Sequence, residues 1–459
     1  MELSEIKACY FVGIGGIGMS AVARYFLQKG VCVAGYDRTP SALTRALEKE
    51  GALIHYEENT GLIPVACRRK ESCLVVFTPA VPETHAELAY FREQGFEVEK
   101  RAQVLGTLTR ALKGLCVAGT HGKTTTSAMT AHILRQSSAD CNAFLGGISK
   151  NYGTNYLLSR TSEFVVIEAD EYDRSFHWLA PYATVITAVD ADHLDIYGTR
   201  EAYVESFEKY TSLIVPGGSL VMHSGLDMSP QTNKDVRVYT YGEREGDFHA
   251  ERIRTGNGEI VFDCISPLGN ISDVKLGVPV RINIENGIAA IALAQIAGVS
   301  AKDIRKAMET YAGVERRFDF KLKTDKAVLL TDYGHHPIEI RESIRSMREL
   351  YEDKKIAVVF QPHLYSRTRD FYAAFAESLS LADEVLLTDI YPAREAPLPG
   401  VTSRLIYDRL APGVEKKLCR KEEAAELVGQ SKADVFIVLG AGDIESYAGQ
   451  MAEVLKGRE

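Results

Sequence analysis

The sequence predicts an α/β protein of three domains, each built on a mainly parallel sheet covered by helices. Three observations carry this. Short apolar strands alternate with helix-period segments along almost the whole chain, the pattern of strand–helix–strand units. Three strands run directly into glycine turns: CYFVGIGGIG at 9–18, LCVAGTHGK at 115–123 and VFIVLGAGD at 435–443. An open parallel sheet places its ligands at such strand ends. A chain of 459 residues has room for about three domains of roughly 150 residues. Candidate boundaries near Gly106 and Gly313 give domains 1–106, 107–313 and 314–459. Between 218 and 281 the pattern shifts to short runs such as LVMH and VRVYTY, separated by GNGE and PLGN turns, which predicts an antiparallel extension of the middle domain.

Composition narrows the partners. A formal net charge of −9 disfavours nonspecific attraction to nucleic acid and anionic membrane, while leaving room for a local basic pocket that takes phosphate. The eight cysteines, Cys9, Cys32, Cys67, Cys73, Cys116, Cys141, Cys264 and Cys419, include no C-x-x-C pair and several lie in apolar runs, as buried thiols of a reducing compartment do. MELSEIKACYFVG passes from charged residues straight into a strand, and no apolar run reaches the ~18 residues of a membrane span. These features predict a cytoplasmic protein that binds small molecules, with no nucleic acid partner and no membrane insertion. Monomer and homodimer are equally compatible with them.

The first glycine loop places Gly13, Gly15 and Gly18 in G-x-G-x-x-G between a strand and a helix over 19–29, with Asp37 closing VCVAGYD 19 residues after Gly18. Alone, this is a Rossmann-like fingerprint: glycines admit a diphosphate, the helix N-terminus offers free N–H groups, and Asp37 is placed to accept a ribose hydroxyl. It does not distinguish a nicotinamide dinucleotide from another nucleotide diphosphate, and a bare strand–helix turn has the same glycines.

The second loop, AGTHGKTTT at 118–126, is a shortened phosphate loop: Val117 stands where the usual G-x-x-x-x-G-K-[ST] pattern begins with glycine. Its parts are nonetheless complete. Gly119, Thr120, His121 and Gly122 form the wrap, Lys123 supplies a charge for β- and γ-phosphates, and the Thr124 and Thr125 hydroxyls follow at the start of an amphipathic helix over 124–135. Downstream, FVVIEAD at 164–170 and ATVITAVDADHLD at 183–195 predict two strands of the same parallel sheet, ending in Glu168, Asp170 and Glu171 and in Asp190, Asp192, His193 and Asp195. A phosphate-bridging magnesium ion keeps only one or two protein ligands, so most of these carboxylates serve other purposes.

VGIGGIGMS, GTHGKTTT, EADEYDRSF, DHLDIYGT, ERRFD, DYGHHPIE, FQPHLYSRTRDF and LGAGDI, in this order over nearly the whole chain, together resemble the Mur ligases. The resemblance implies an ATP-dependent carboxylate–amine ligase of peptidoglycan precursor synthesis that joins L-alanine to UDP-N-acetylmuramate. The first domain is then a Rossmann-like UDP-sugar domain, with Gly13, Gly15, Gly16, Ile17, Gly18 and Asp37 on the sugar nucleotide. The second is a P-loop ATPase-like domain and the third a Rossmann-like domain for the amino acid. ATP and Mg²⁺ follow: the γ-phosphoryl group makes the sugar carboxylate an acyl phosphate, which the amine displaces. By the same resemblance Thr124, Glu168 and His193 surround magnesium, and Lys123, Glu168, His193 and His335 are catalytic. Asn283 and Asn286, three apart on one helical face, hold adenine, although either is equally an ordinary N-cap. Arg317 serves the nucleotide, and His336, Arg367 and Arg369 serve substrate. Adjacent histidines on a loop are often structural, and one of the three arginines is expected to be a surface ion pair.

Three positions depart from the family pattern: Tyr172 in place of serine after E-A-D-E, Leu364 in place of arginine after Q-P-H, and Ile282 in place of histidine before Asn283. EADEYD also occurs in the related ligase that attaches a recycled tripeptide, so the amine is less firmly implied than the fold. A nicotinamide-dependent dehydrogenase would leave Lys123, His193 and DYGHHPIE unused, and a nonenzymatic nucleotide switch would leave the third domain unused. Several relatives that add later stem residues carry, 15 positions after the aspartate of D-H-L-D, a lysine that reacts with carbon dioxide to form a carbamate. That count from Asp192 reaches Phe207, so no carbamate is expected.

Overall fold

A computed structural model describes residues 3–78, 81–190, 194–256, 259–393 and 395–457, apart from the side chains at 42, 194 and 195. The chain divides into two compact units: 1–251 with 263–274 and 285–310, and 252–262 with 275–284 and 311–459.

The first unit carries two sheets. Strands β1 (Ala8–Val12), β2 (Cys32–Tyr36), β3 (Leu53–His55), β4 (Cys73–Phe77) and β5 (Glu97–Lys100) are all parallel in the order β3-β2-β1-β4-β5. The apolar run in β1 is buried throughout, as a central parallel strand covered on both faces requires. The second sheet comprises β6 (Lys113–Ala118), β7 (Asn142–Ser149), β8 (Thr154–Leu157), β9 (Phe164–Glu168), β10 (Ala183–Ile186), β11 (Ser219–His223) and β12 (Arg237–Tyr241), in the order β12-β11-β10-β6-β9-β7-β8. The central strand β6 lies between β9 and β10, pairing Val117 with Glu168 and Ala118 with Ile186. The carboxylate-bearing strand ends therefore flank the phosphate loop, as the sequence predicts.

Two expectations are corrected. LVMH and VRVYTY are not an antiparallel extension: β11 and β12 continue the sheet in parallel from β10. Only β13 (His249–Gly256), β14 (Glu259–Ile265) and β15 (Ile271–Lys275) form a separate three-stranded sheet. Short apolar runs with glycine turns fit an edge parallel strand and a hairpin strand equally well, and the partner decides. The helix after the phosphate loop, Lys123–Arg135, is not amphipathic but buried from Thr126 through Leu134. It is enclosed by β6, β7 and β9 on one side and the helix Ala301–Thr310 on the other.

Gly106 lies inside the helix Arg101–Ala111. A methyl group there would run into the Trp178 carbonyl, so this glycine serves close packing and not a flexible link. One continuous core joins the helices Ile17–Gln28 and Arg101–Ala111 to both sheets, through residues such as Phe11, Met19, Phe26, Leu108, Phe144 and Ile167.

The second unit carries β16 (Asp319–Lys323), β17 (Val328–Asp332), β18 (Ile356–Phe360), β19 (Glu384–Leu387), β20 (Glu415–Leu418) and β21 (Val435–Leu439), ordered β16-β17-β21-β18-β19-β20 and parallel except for β16. Strand alternation sends Leu330, Val358 and Ile437 into one core and Leu329, Val359 and Val438 into the other.

Candidate active site

Backbone shape explains the shortened phosphate loop. Gly119 and Gly122 have φ of 131° and 80°, a region side chains avoid, and Gly122 is the left-handed N-cap of the following helix. A Cβ on Gly119 would also collide with Thr187, whose hydroxyl donates to the Ala118 carbonyl and to that of His121. The loop is thus tied to the end of β10. The Thr120 hydroxyl donates to the Asp190 carbonyl at 2.9 Å, and Nε2 of His121 stands 3.5 Å from Asp190 Oδ2.

Lys123 points back under this loop. Its ammonium donates to the carbonyls of Gly119 and Thr120 at 2.6 and 3.4 Å, and lies 2.9 and 2.8 Å from the two oxygens of Glu171. Glu171 is 1% exposed. Burial raises its pKa against the pull of Lys123, whereas Lys123 is itself raised because its carboxylate neighbours, Glu171 first, outweigh burial. The pair is a buried ion pair. Beside it, the Thr124 hydroxyl donates to Glu168 Oε1 at 3.1 Å, and the Gly146 N–H donates to Glu168 Oε2 at 3.0 Å. Thr125 is half-buried in the same first turn. His193 and Asp192 lie outside the described residues, so the expectation for His193 stands as a sequence reading. Among the described residues no cluster of three or more His, Cys, Asp or Glu side chains forms a metal cage.

Glu168 and Asp170 also face a cleft of about 420 Å³ lined by Gly16, Ile17, Gly18 and Thr78 of the first sheet's loops, together with Arg101 and Gly146. Gly18 leaves space that Arg101 fills. Sequence reasoning missed Arg101, although its place directly after β5, at a parallel strand end, was the available signal. Ile17, which lines this cleft, is 47% exposed. Asp37 accepts from the Gly15 N–H at 2.7 Å and the Thr39 N–H at 3.3 Å. It shapes the glycine loop itself, and Gly13 lies in the same turn with φ of 90°.

Of the adenine candidates, Asn286 accepts at Oδ1 from the Thr126 hydroxyl, 3.2 Å away, and approaches Gly122. Asn283, in the second unit, donates to the Val278 carbonyl at 3.1 Å and is 3% exposed.

In the second unit the loop after β17 holds His335 largely buried. Its Nδ1 lies 3.1 Å from the Tyr333 carbonyl and 3.3 Å from Glu339. Burial, helped by the Arg367 and Arg317 cations and opposed by Glu339, pushes its pKa down to about 4, so the ring is neutral at neutral pH. His336 is the N-cap of the helix Pro337–Leu350, with Nδ1 accepting from the Ile338 N–H, and its ring meets Phe371 edge-on. Arg317 lies over Tyr333 at 4.9 Å. Arg367 is half-buried in the first turn of the helix Tyr365–Leu379. Arg369 is exposed and forked onto Asp370. It is the surface ion pair among the three arginines. Leu364 takes the left-handed N-cap position of that helix with φ of 71°. Gln361, also missed, ties two strand-end loops by donating to Asp443 at 2.9 Å and accepting from the Ile444 N–H at 3.1 Å.

Comparison with known proteins adds independent observations. Residues 8–113 match the Mur ligase family catalytic domain, 117–294 the Mur ligase middle domain and 316–442 the Mur ligase glutamate ligase domain. The chain is 64% identical to the UDP-N-acetylmuramate–L-alanine ligase of Phocaeicola vulgatus over 99% of both chains. It is 58% identical to the enzyme of that name from Parabacteroides distasonis, over 99% of this chain and 98% of the other. The crystal structure of a UDP-N-acetylmuramate–alanine ligase from Thermotoga maritima superposes with a TM-score of 0.78 at 30% identity, over 98% of this chain and 100% of the other. A murein peptide ligase from Psychrobacter arcticus shares the fold, with a TM-score of 0.63 at 19% identity over 98% of each chain.

Proposed function

Since the chain belongs to the Mur ligase family, we propose that it is an ATP-dependent ligase joining L-alanine to the carboxylate of UDP-N-acetylmuramate in peptidoglycan precursor synthesis. The single observation that carries the reading is full-length identity of 64% and 58% to two ligases named for that reaction. The geometry supports it: a phosphate loop with a largely buried lysine and a glycine-loop cleft converge on one carboxylate, Glu168.

Each group then has a task. Lys123 neutralises charge on the phosphoryl group as it moves from ATP to the sugar carboxylate, and the loop N–H groups hold the phosphates in line, so the protein supplies positioning and electrostatics. Arg101, at the cleft between glycine loop and Glu168, is placed to orient an anionic substrate. His335, neutral at working pH, can accept a hydrogen bond from the incoming amine and so orient it. Magnesium, when bound, would supply positive charge that neutralises the phosphates. Thr124 and Glu168 fit it, being two adjacent hard oxygen donors beside the loop, which is the small protein share such an ion takes. Eight unpaired thiols, six of them buried, support a reducing, cytoplasmic setting, and among the described residues no helix is long and apolar enough to cross a membrane.

Phosphate release from ATP, measured with UDP-N-acetylmuramate and in turn L-alanine, L-serine, glycine and the recycled tripeptide, tests this. L-alanine should support the fastest turnover. Preference for the tripeptide would give the chain to the recycling reaction, and saturable NAD(H) binding would revive the dehydrogenase.

A further inference from the structure

Lys123 and Glu171 carry an inference that deepens, and rests on, the proposed ATP reaction. An ammonium has three donors, and here every one is engaged: two backbone carbonyls of the loop and the Glu171 carboxylate take them. A nucleotide phosphate therefore cannot gain Lys123 without displacing one of these acceptors, of which Glu171 alone is a carboxylate and would meet the phosphate with like charge. The position of Glu171 is itself built. Its carbonyl accepts from the Tyr197 hydroxyl at 2.5 Å and from the Arg174 N–H at 3.0 Å. The chain then passes through two successive left-handed residues, Asp173 and Arg174, with φ of 53° and 54°. Such strain persists only where the surroundings hold it and gathers at functional sites. Lys100 holds Asp173 at 2.9 Å, and the Arg174 guanidinium lies over the Tyr197 ring at 4.8 Å. The turn aims one carboxylate at the lysine of the phosphate loop.

We propose that Glu171 is a positioning residue that stands in for nucleotide phosphate: it holds Lys123 whenever no nucleotide is bound, yields it to the triphosphate, and retakes it as spent nucleotide leaves. Two consequences follow from charge alone. With Glu171 in place the largely buried lysine is never left unpaired, so the loop keeps its shape between nucleotides. With nucleotide bound, the carboxylate sits close to phosphate of like sign, which weakens binding of ATP and ADP alike and speeds release of ADP.

The test is calorimetric titration of ADP, with magnesium present and UDP-sugar absent, into the wild-type chain and Glu171→Gln, an isostere that can still accept from Lys123. Glu171→Gln should bind ADP at least about tenfold more tightly, the size of effect given by removing ~1.4 kcal/mol of repulsion. In turnover its KM for ATP and its kcat should fall together, because product release slows. Unchanged or weaker ADP binding by a folded Glu171→Gln overturns the placeholder role. Should that variant fail to fold, Glu171→Asp, whose carboxylate is one methylene too short for Lys123, is read by the same titration. There a twofold or smaller change in ADP affinity overturns the role. Absence of ADP binding by the wild-type chain would instead overturn the proposed function.

Discussion

The Thr124 hydroxyl donates to Glu168 Oε1 across 3.1 Å, joining the first turn after the phosphate loop to the end of the neighbouring strand. A hydroxyl donating to a carboxylate presents two oxygens side by side, the donor pair a phosphate-bound magnesium ion takes from a protein. Glu168→Gln should raise the magnesium concentration for half-maximal phosphate release about tenfold or more and leave UDP-N-acetylmuramate affinity within twofold. An unchanged magnesium requirement would remove Glu168 from the ion.

Phe207 is fully buried, edge-on to Phe176 at 5.1 Å and tilted against Tyr203 at 5.1 Å. No lysine fits that place, and Lys209, on the same helix Arg200–Thr211, is exposed. Turnover at mildly acidic pH should therefore be indifferent to added bicarbonate. Rescue by bicarbonate, or a mass increase of one carbon dioxide at Lys209 in the native protein, would contradict this.

His132 lies buried in the helix Lys123–Arg135, with Nδ1 on the Tyr152 hydroxyl at 2.9 Å and Nε2 on that of Thr310 at 3.1 Å. Burial lowers its pKa from 6.5 to about 4. The unfolded chain binds this proton first as pH falls, so the stability contributed by the neutral ring is full above about 6.5 and declines toward 4. Urea midpoints measured at several values across that window should fall less steeply for His132→Gln than for the wild type. Parallel slopes would show that this histidine does not set the acid response.

Gly106→Ala places a methyl group against the Trp178 carbonyl in the packed interface between the helix Arg101–Ala111 and the segment Tyr172–Trp178. Backbone cannot step aside as a flexible side chain can, and overpacking of this kind costs about 1–3 kcal/mol. A lowered Tm should accompany the change, and the emission of Trp178, the single tryptophan of the chain, should shift. A Tm within one degree of wild type would show that the helix can retreat.

The sequence by itself determined what depends on neighbours along the chain. GIGGIG and GTHGK mark where glycines allow a tight strand-to-helix turn, Lys123 and Thr124 follow at fixed offsets, and alternating strand and helix periods announce parallel sheets. These are short-range constraints, and the structure keeps them in place. Arg369 followed directly by Asp370 is equally local, and the expectation that one arginine is a surface pair is met there.

Only the tertiary structure decided what depends on partners far along the chain. The order β10-β6-β9 sets Glu168 and the end of β10 beside the phosphate loop. Nothing in VRVYTY says whether its neighbour runs with it or against it. Enclosure by three strands and the helix Ala301–Thr310 buried a helix that the sequence reads as amphipathic. Packing alone brought Arg101 to the glycine-loop cleft and turned Glu171, 48 residues from Lys123, into its counter-ion. Local period and propensity encode which faces are apolar, but a buried charge is tolerated only where an opposite charge arrives to meet it, and that meeting is made by the fold.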